Sequence, residues 1–168
     1  MANDNEASIS TLSIDPLNEP PNGRYPARVD DKGRLKLPVG FQQFVAGLRE
    51  KKLFCTSLDR RIGQIYPIAI WRENKKFFNE FREDPESVEI ISFNAQDLGA
   101  DSEMDNQGRV LLPPEMRREL GIENQNVHLY AHKGRIEILS EAVYEERKQS
   151  ATGTGKVAQL KLERAGLQ

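Results

Sequence analysis

A single cysteine, Cys55, in 168 residues leaves no intrachain disulfide framework and no zinc-ligand spacing. No stretch approaches the roughly 18 consecutive apolar residues of a membrane span, so no membrane association is expected. Lysine and arginine are missing from residues 1–22, which hold Asp4, Glu6, Asp15 and Glu19. A signal peptide's basic segment is therefore not found there, and a cytoplasmic location is expected. The chain also lacks Gly-x-Gly-x-x-Gly and any glycine-rich phosphate loop ending in lysine. His128 and His132 stand four apart, one on an expected strand and one in its turn, with no third ligand nearby at a metal spacing. Cys55, within Phe54-Cys55-Thr56, reads as a small buried strand residue. No catalytic residue, metal or cofactor is expected, and the chain is not read as an enzyme.

Charge is unevenly spread. The formal net charge is −2, to which residues 1–22 contribute −4 and residues 148–168 contribute +3. The sum does not advertise nucleic-acid binding. A near-neutral middle can still display a cationic face where basic side chains converge, and a symmetric assembly repeats that face.

The chain repeats itself. Val29-Asp30-Asp31-Lys32-Gly33-Arg34-Leu35-Lys36-Leu37-Pro38 recurs 75 positions later as Met104-Asp105-Asn106-Gln107-Gly108-Arg109-Val110-Leu111-Leu112-Pro113. Asp, Gly, Arg and Pro keep their offsets, and apolar residues occupy the places between them. Further on the offset becomes 73: Ile65-Tyr66 matches Ile138-Leu139, and Ala69, Ile70 and Trp71 match Ala142, Val143 and Tyr144. Each unit is too small to bury a sound core alone, so the two are expected to complete one another.

Each copy reads alike. A short strand, Tyr25 to Val29 in the first, leads into Asp-x-x-Gly, a tight turn in which the carboxylate accepts turn amide hydrogens and glycine takes positive φ. Asp30, Gly33, Asp105 and Gly108 are the structural turn residues. A short strand and a proline follow, then a helix: Phe41, Phe44, Val45 and Leu48 form an i, i+3, i+4, i+7 stripe, and Met116 and Leu120 precede Gly121 as a C-cap. Hairpins are expected from Leu53–Thr56 with Gln64–Tyr66, and from Val127–Tyr130 with Arg135–Leu139. Two closing helices carry Trp71 and Tyr144 as core anchors, the second capped by Ser140. The segment between the copies holds Phe77, Phe78, Phe81, Val88, Ile91, Ala95 and Leu98, and is expected as helices broken near Asp84-Pro85 that pack on the strands.

The paired Asp-x-x-Gly-Arg motifs, each followed by an apolar strand and a proline, resemble the MraZ family, part of the wider AbrB-like group of DNA-binding proteins. Leu58-Asp59, Ile65-Tyr66-Pro67 before Trp71, and Pro114-Glu115-Met116-Arg117-Arg118-Glu119-Leu120 support the resemblance, which covers roughly residues 23–147. One departure is that the family often has arginine directly after the phenylalanine of the first helix, where this chain has Gln42. The resemblance implies a mainly β fold with short helices, a duplicated barrel of swapped AbrB-like hairpins. It implies a ring-like homo-oligomer that binds repeated elements in double-stranded DNA at the nucleoid and regulates cell-division and cell-wall genes. The corresponding division is a disordered arm over 1–22, a first repeat over 23–73, a mostly helical linker over 74–99, a second repeat over 100–147 and a flexible tail over 148–168. An AbrB-like antitoxin and an oligomeric scaffold that does not bind DNA are the competing readings.

Within 24–36, Arg24, Arg28, Lys32, Arg34 and Lys36 outnumber Asp30 and Asp31. On a strand–turn–strand element alternate side chains share a face, and such a ribbon can enter a major groove where arginines read guanine edges. These five, with Arg109, are the expected DNA-binding residues. For each Asp/Arg pair a second reading stands beside the first: the carboxylate caps the turn while its arginine locks the hairpin. Arg60 and Arg61 are expected in an ordinary solvated turn.

Overall fold

A computed structural model describes residues 17–168. Its strands are β1 (Tyr25–Arg28), β2 (Arg34–Lys36), β3 (Leu53–Thr56), β4 (Gly63–Pro67), β5 (Ala100–Ser102), β6 (Arg109–Leu111), β7 (Asn126–His132) and β8 (Arg135–Ser140). Its helices are α1 (Val39–Ala46), α2 (Ile68–Glu80), α3 (Pro85–Leu98), α4 (Pro114–Leu120), α5 (Glu141–Thr152) and α6 (Gly155–Ala165). Six strands form one antiparallel sheet in the order β1-β7-β8-β4-β3-β5, and β2 and β6 form a separate antiparallel ribbon.

Four pairings cross between the two halves of the sequence. β1 lies on β7 with Tyr25 opposite Leu129, β3 lies on β5 with Leu53 opposite Ser102, and β2 lies on β6 with Leu35 opposite Val110. The two hairpins meet through β4 and β8, where Ile65 faces Ile136.

The architecture corrects the expected closed, mainly β barrel. The sheet is open, with β1 and β5 at its edges, and more described residues lie in helices than in strands, which makes the fold mixed α/β. Pro26 has no amide hydrogen to extend the ladder beyond β1, and β5 is only three residues long, so neither edge offers a full row of pairing groups.

Period-two alternation gives each sheet face its own core. Leu53 and Cys55 of β3, Ile65 of β4 and Leu129 of β7 join Leu35, Leu37, Phe41, Phe44, Val110, Leu112 and Met116 beneath the ribbon, α1 and α4. On the opposite face Tyr66 packs with Ile68, Trp71 and Ala95 under α2 and α3, and Phe54 stacks on Trp71 with ring centroids 4.5 Å apart. The segment between the halves thus covers strands as expected. Its break is set by Asp84, which caps α3 by accepting from the Ser87 amide at 3.1 Å, with Pro85 in the first turn. Gly121 ends α4 in the left-handed conformation, and Ser140 accepts from the Val143 amide to start α5.

Helix α2 runs through the expected boundary at 73–74, and the stretch 148–168, expected as a flexible tail, carries the end of α5 and all of α6. Of the expected disordered arm, residues 1–16 lie outside the described residues. Its remainder rests on α1: Asn18 Nδ2 donates to the Phe44 carbonyl at 3.0 Å, and Pro21 sits against Gly40.

Phe41 is fully buried, and the ring of Tyr25 meets it edge-on at 5.4 Å. Replacing Phe41 with Ala opens a cavity where ribbon, α1 and sheet converge, and is expected to cost about 3–5 kcal/mol in a denaturant titration.

Candidate nucleic-acid interface

The two Asp-x-x-Gly-Arg turns have the same geometry. Asp30 Oδ1 accepts from the amides of Lys32 and Arg34, both at 2.9 Å, and Oδ2 accepts from Arg34 Nε at 2.8 Å. Asp105 Oδ1 accepts from the amides of Gln107 and Arg109, both at 2.9 Å, and Oδ2 from Arg109 Nε at 2.8 Å. Gly33 and Gly108 take φ of 81° and 74°, a region that side chains with a Cβ resist. In each turn the arginine amide is the main reason the aspartate carboxyl titrates below its ordinary value. The guanidinium and the second amide add to the effect, against partial desolvation.

The turns are joined by reciprocal bonds. The Leu37 amide donates to the Gly108 carbonyl at 2.9 Å, and the Leu112 amide donates to the Gly33 carbonyl at 3.0 Å. The ribbon's inner face is Leu35 and Val110, both fully buried. By alternation Arg34 and Lys36 of β2 and Arg109 and Leu111 of β6 stand on its outer face. Both Asp/Arg pairs are therefore structural, yet among the described residues the terminal nitrogens of Arg34 and Arg109 make no hydrogen bond within the protein. The Lys36 ammonium bonds the Gln107 carbonyl across the ribbon, and Lys32 is exposed at the turn.

The remaining expected residues are held elsewhere. Arg28 donates to Asn126 Oδ1 at 3.2 Å and to the Asn124 carbonyl and Oδ1 at 3.0 and 2.8 Å. It still meets the ribbon, because Arg28, Lys36, Val39, Gln42 and Asn126 line one open groove. Arg24 is drawn away, its Nη1 2.8 Å from His128 Nδ1 and its guanidinium 4.8 Å from the centre of the Tyr144 ring. Since arginine only donates, His128 accepts there and donates from Nε2 to Glu141 at 2.6 Å. Tyr144 stacks on His128 at 3.9 Å and is partly exposed, so it anchors this polar cluster and not the core. Trp71 does sit in the core. The turn with Arg60 and Arg61 is not simply solvated. Arg60, at φ 63°, bonds Asn94, Asp97 and Glu119, and Arg61 pairs with Glu146.

Sequence reasoning missed Gln42 and Arg117. The Gln42 carboxamide covers Gly108 and donates to the Leu37 carbonyl at 2.6 Å. The Arg117 guanidinium covers Gly33, donates to the Leu112 carbonyl and pairs with Glu123 at 3.1 Å. The signal was available: both stand four places after the motif's proline, 75 positions apart.

Groups elsewhere suit packing. Cys55 is fully buried, and burial, with the Asp101 charge adding, pushes its thiol up to about 12, which keeps it protonated at neutral pH. Among the described residues no cluster of three or more His, Cys, Asp or Glu is placed to hold a metal ion, and no helix is long and apolar enough to cross a membrane.

No family model matches the chain. Individual proteins do. The transcriptional regulator MraZ of Herpetosiphon aurantiacus is 35% identical over 109 residues, covering 62% of this chain and 71% of that protein. The proteins of the same name from Thermus thermophilus and Acidobacterium capsulatum are 32% and 28% identical over 123 and 124 residues. Those matches cover 72% and 74% of this chain, and 82% and 84% of the relatives.

The turns supply two expected outcomes. Gly33→Ala forces an alanine into left-handed backbone and its Cβ into the Arg117 guanidinium. A loss of about 1–2 kcal/mol from the backbone alone is expected in thermal or chemical unfolding. Because the folded aspartates titrate below their ordinary value, their contribution is present above the unfolded carboxylate pKa and fades as pH falls through the folded one. The Asp30→Asn/Asp105→Asn protein is expected to melt lower at neutral pH and to lose less stability on acidification than the parent, as read from melting temperatures across an acid series.

Proposed function

From the premise that the chain belongs to the MraZ family of transcriptional regulators, we propose that it is a sequence-specific DNA-binding regulator that reads repeated elements in double-stranded DNA as a homo-oligomer. One observation carries this reading. The outer face of the β2–β6 ribbon carries Arg34, Lys36 and Arg109, with Lys36 directly opposite Arg109 and Arg34 opposite Leu111, each arginine fixed at Nε by its turn aspartate and free at its terminal nitrogens. A two-stranded ribbon fits a major groove about 12 Å wide, and an arginine's paired terminal donors match guanine O6 and N7. Lys32 at the turn, with Lys36 and Arg28 along the adjoining groove, supplies contacts suited to phosphates. Arg24, bound to His128 and Tyr144, stands apart from that set.

A subunit of net charge −2 gains little affinity from one such face. A ring of copies presents the face repeatedly, so that weak contacts to successive DNA repeats add through effective concentration. In this reading the regulator works in the cytoplasm at the nucleoid and acts on cell-division and cell-wall genes, as the family resemblance implies.

The test is a duplex-binding titration beside light scattering. Arg34→Ala is expected to weaken binding to a selected repeat by about tenfold or more while the assembly mass stays constant, since a bidentate base contact discriminates by about 1–3 kcal/mol. Lys32→Ala is expected to weaken all duplexes alike and to lower the salt slope by about one. Equal affinity of the parent for every sequence would favour a scaffold, and unchanged binding by the Arg34 variant would remove that residue as a reader.

A further inference from the structure

Helix α6 spans eleven residues without burying one, and every position from Glu145 to Gln168 is exposed. A helix of this length is marginal in water by itself, because nucleation is costly and tertiary packing supplies most helical stability in proteins. Residue spacing shows which of its exposed residues share a face. Val157, Leu160, Lys161 and Arg164 stand at i, i+3, i+4 and i+7 and share one face. Val157 is 60% exposed and Leu160 41%. Lys161 and Arg164 make no ion pair among the described residues. The face is apolar at one end and cationic at the other.

A surface of opposite charge lies on α3. Its inner side buries Ala95 and Leu98, while Glu86, Glu89, Ile90 and Phe93 project from the outer side. Ile90 is 52% exposed and Phe93 62%. The helix contains Glu86, Glu89 and Asp97 and neither lysine nor arginine. Asp97 is engaged by Arg60, whereas Glu86 and Glu89 make no ion pair among the described residues. The spacing on the two helices also corresponds when they run antiparallel. Stepping along α6 from Val157 to Leu160, Lys161 and Arg164 covers three, four and seven residues. Stepping back along α3 from Phe93 to Ile90, Glu89 and Glu86 covers the same intervals. Val157 then meets Phe93, Leu160 meets Ile90, Lys161 meets Glu89 and Arg164 meets Glu86.

We propose that α6 of one copy docks antiparallel on the outer face of α3 of another, and that this contact joins subunits head to tail. Both faces stay exposed within a single chain, so the chain does not cover its own α3, and the charge match selects a second copy as the occupant. Each copy offers one α6 and one α3 face, which makes the contact heterologous and able to close a ring. The inference rests on the proposed homo-oligomer and gives it one specific seam, independent of how DNA is bound.

The experiment measures native mass by light scattering over a concentration series of the full-length protein, with a melting curve for each variant. Leu160→Asp alters an exposed position, and is expected to raise the concentration for half-assembly by about tenfold or more without lowering the melting temperature of the dissociated subunit. Lys161→Glu/Arg164→Glu is expected to act likewise by placing like charges opposite Glu89 and Glu86. Adding Glu86→Lys/Glu89→Lys to that variant is expected to restore assembly. Assembly of all variants at the parent's concentration overturns the docking while leaving the oligomer standing. A parent that is monomeric throughout overturns both. Unchanged mass with weakened duplex binding in the Lys161/Arg164 variant also overturns it and makes α6 a phosphate contact.

Discussion

The reciprocal bonds between the two turns, Leu37 amide to Gly108 carbonyl and Leu112 amide to Gly33 carbonyl, can be made only when the motif of each half lies antiparallel on the other. That register sends Leu35 and Val110 inward, where both are fully buried, and leaves Arg34, Lys36, Arg109 and Leu111 outside. A slip of one residue would exchange the two sets, burying the basic side chains and exposing the apolar ones. The core and the candidate DNA face are thus two sides of one constraint. The positive-φ glycines belong to it as well, because their carbonyls accept the cross-bonds while Gln42 and Arg117 lie over the space that a Cβ would fill.

The frame is closely symmetric, but its surface is not. Equivalent positions hold Lys32 and Gln107 at the turns, and Lys36 and Leu111 on the ribbon, so the first half carries the exposed lysines and the second an exposed leucine. The covering residues differ in the same way. Arg117 bonds the Leu112 carbonyl as Gln42 bonds that of Leu37, but Arg117 also holds Glu123. Arg117 is therefore committed to structure on its own side, and the loss of charge at Gln42 leaves the groove beside Arg28 and Lys36 lined by a neutral amide. A polyanion meeting this face finds its positive charge concentrated near the first turn, with Arg109 the one cation that the second half adds to the ribbon.

What could be read in the sequence follows the range of the interactions. The turns were legible because their bonds reach only two to four residues, and a 75-residue echo separated them from chance. The hairpins, the break near Asp84-Pro85 and the caps at Gly121 and Ser140 were legible for the same local reason. The fates of Arg24 and Arg28 were not, since their partners His128, Asn126 and Asn124 lie about a hundred positions away, on β7 or in the turn before it, which only the crossed pairing brings near. The open sheet escaped as well. Strand patterning says which face is buried but not whether two edges meet, and β1 and β5 are too short or too poor in donors to close. The extent of helix in 141–165 was hidden because its residues are exposed throughout most of its length, so no buried stripe marked it.

A carboxylate on the turn proposed to face DNA looks at first like an argument against the site, since phosphates repel it. Its partners change the sign of that argument. Asp30 is engaged by two amides and by Arg34 Nε, so its charge is already opposed by three donors before any polyanion approaches. The same bonds restrict an otherwise flexible side chain, and rotamer entropy that a free arginine would lose on binding is lost in folding instead. What remains toward solvent is the far edge of the guanidinium, with its two terminal nitrogens unspent. In the proposed reading, structural pairing and base reading are therefore not rival roles for Arg34 and Arg109: the first, made through Nε, leaves the terminal nitrogens for the second.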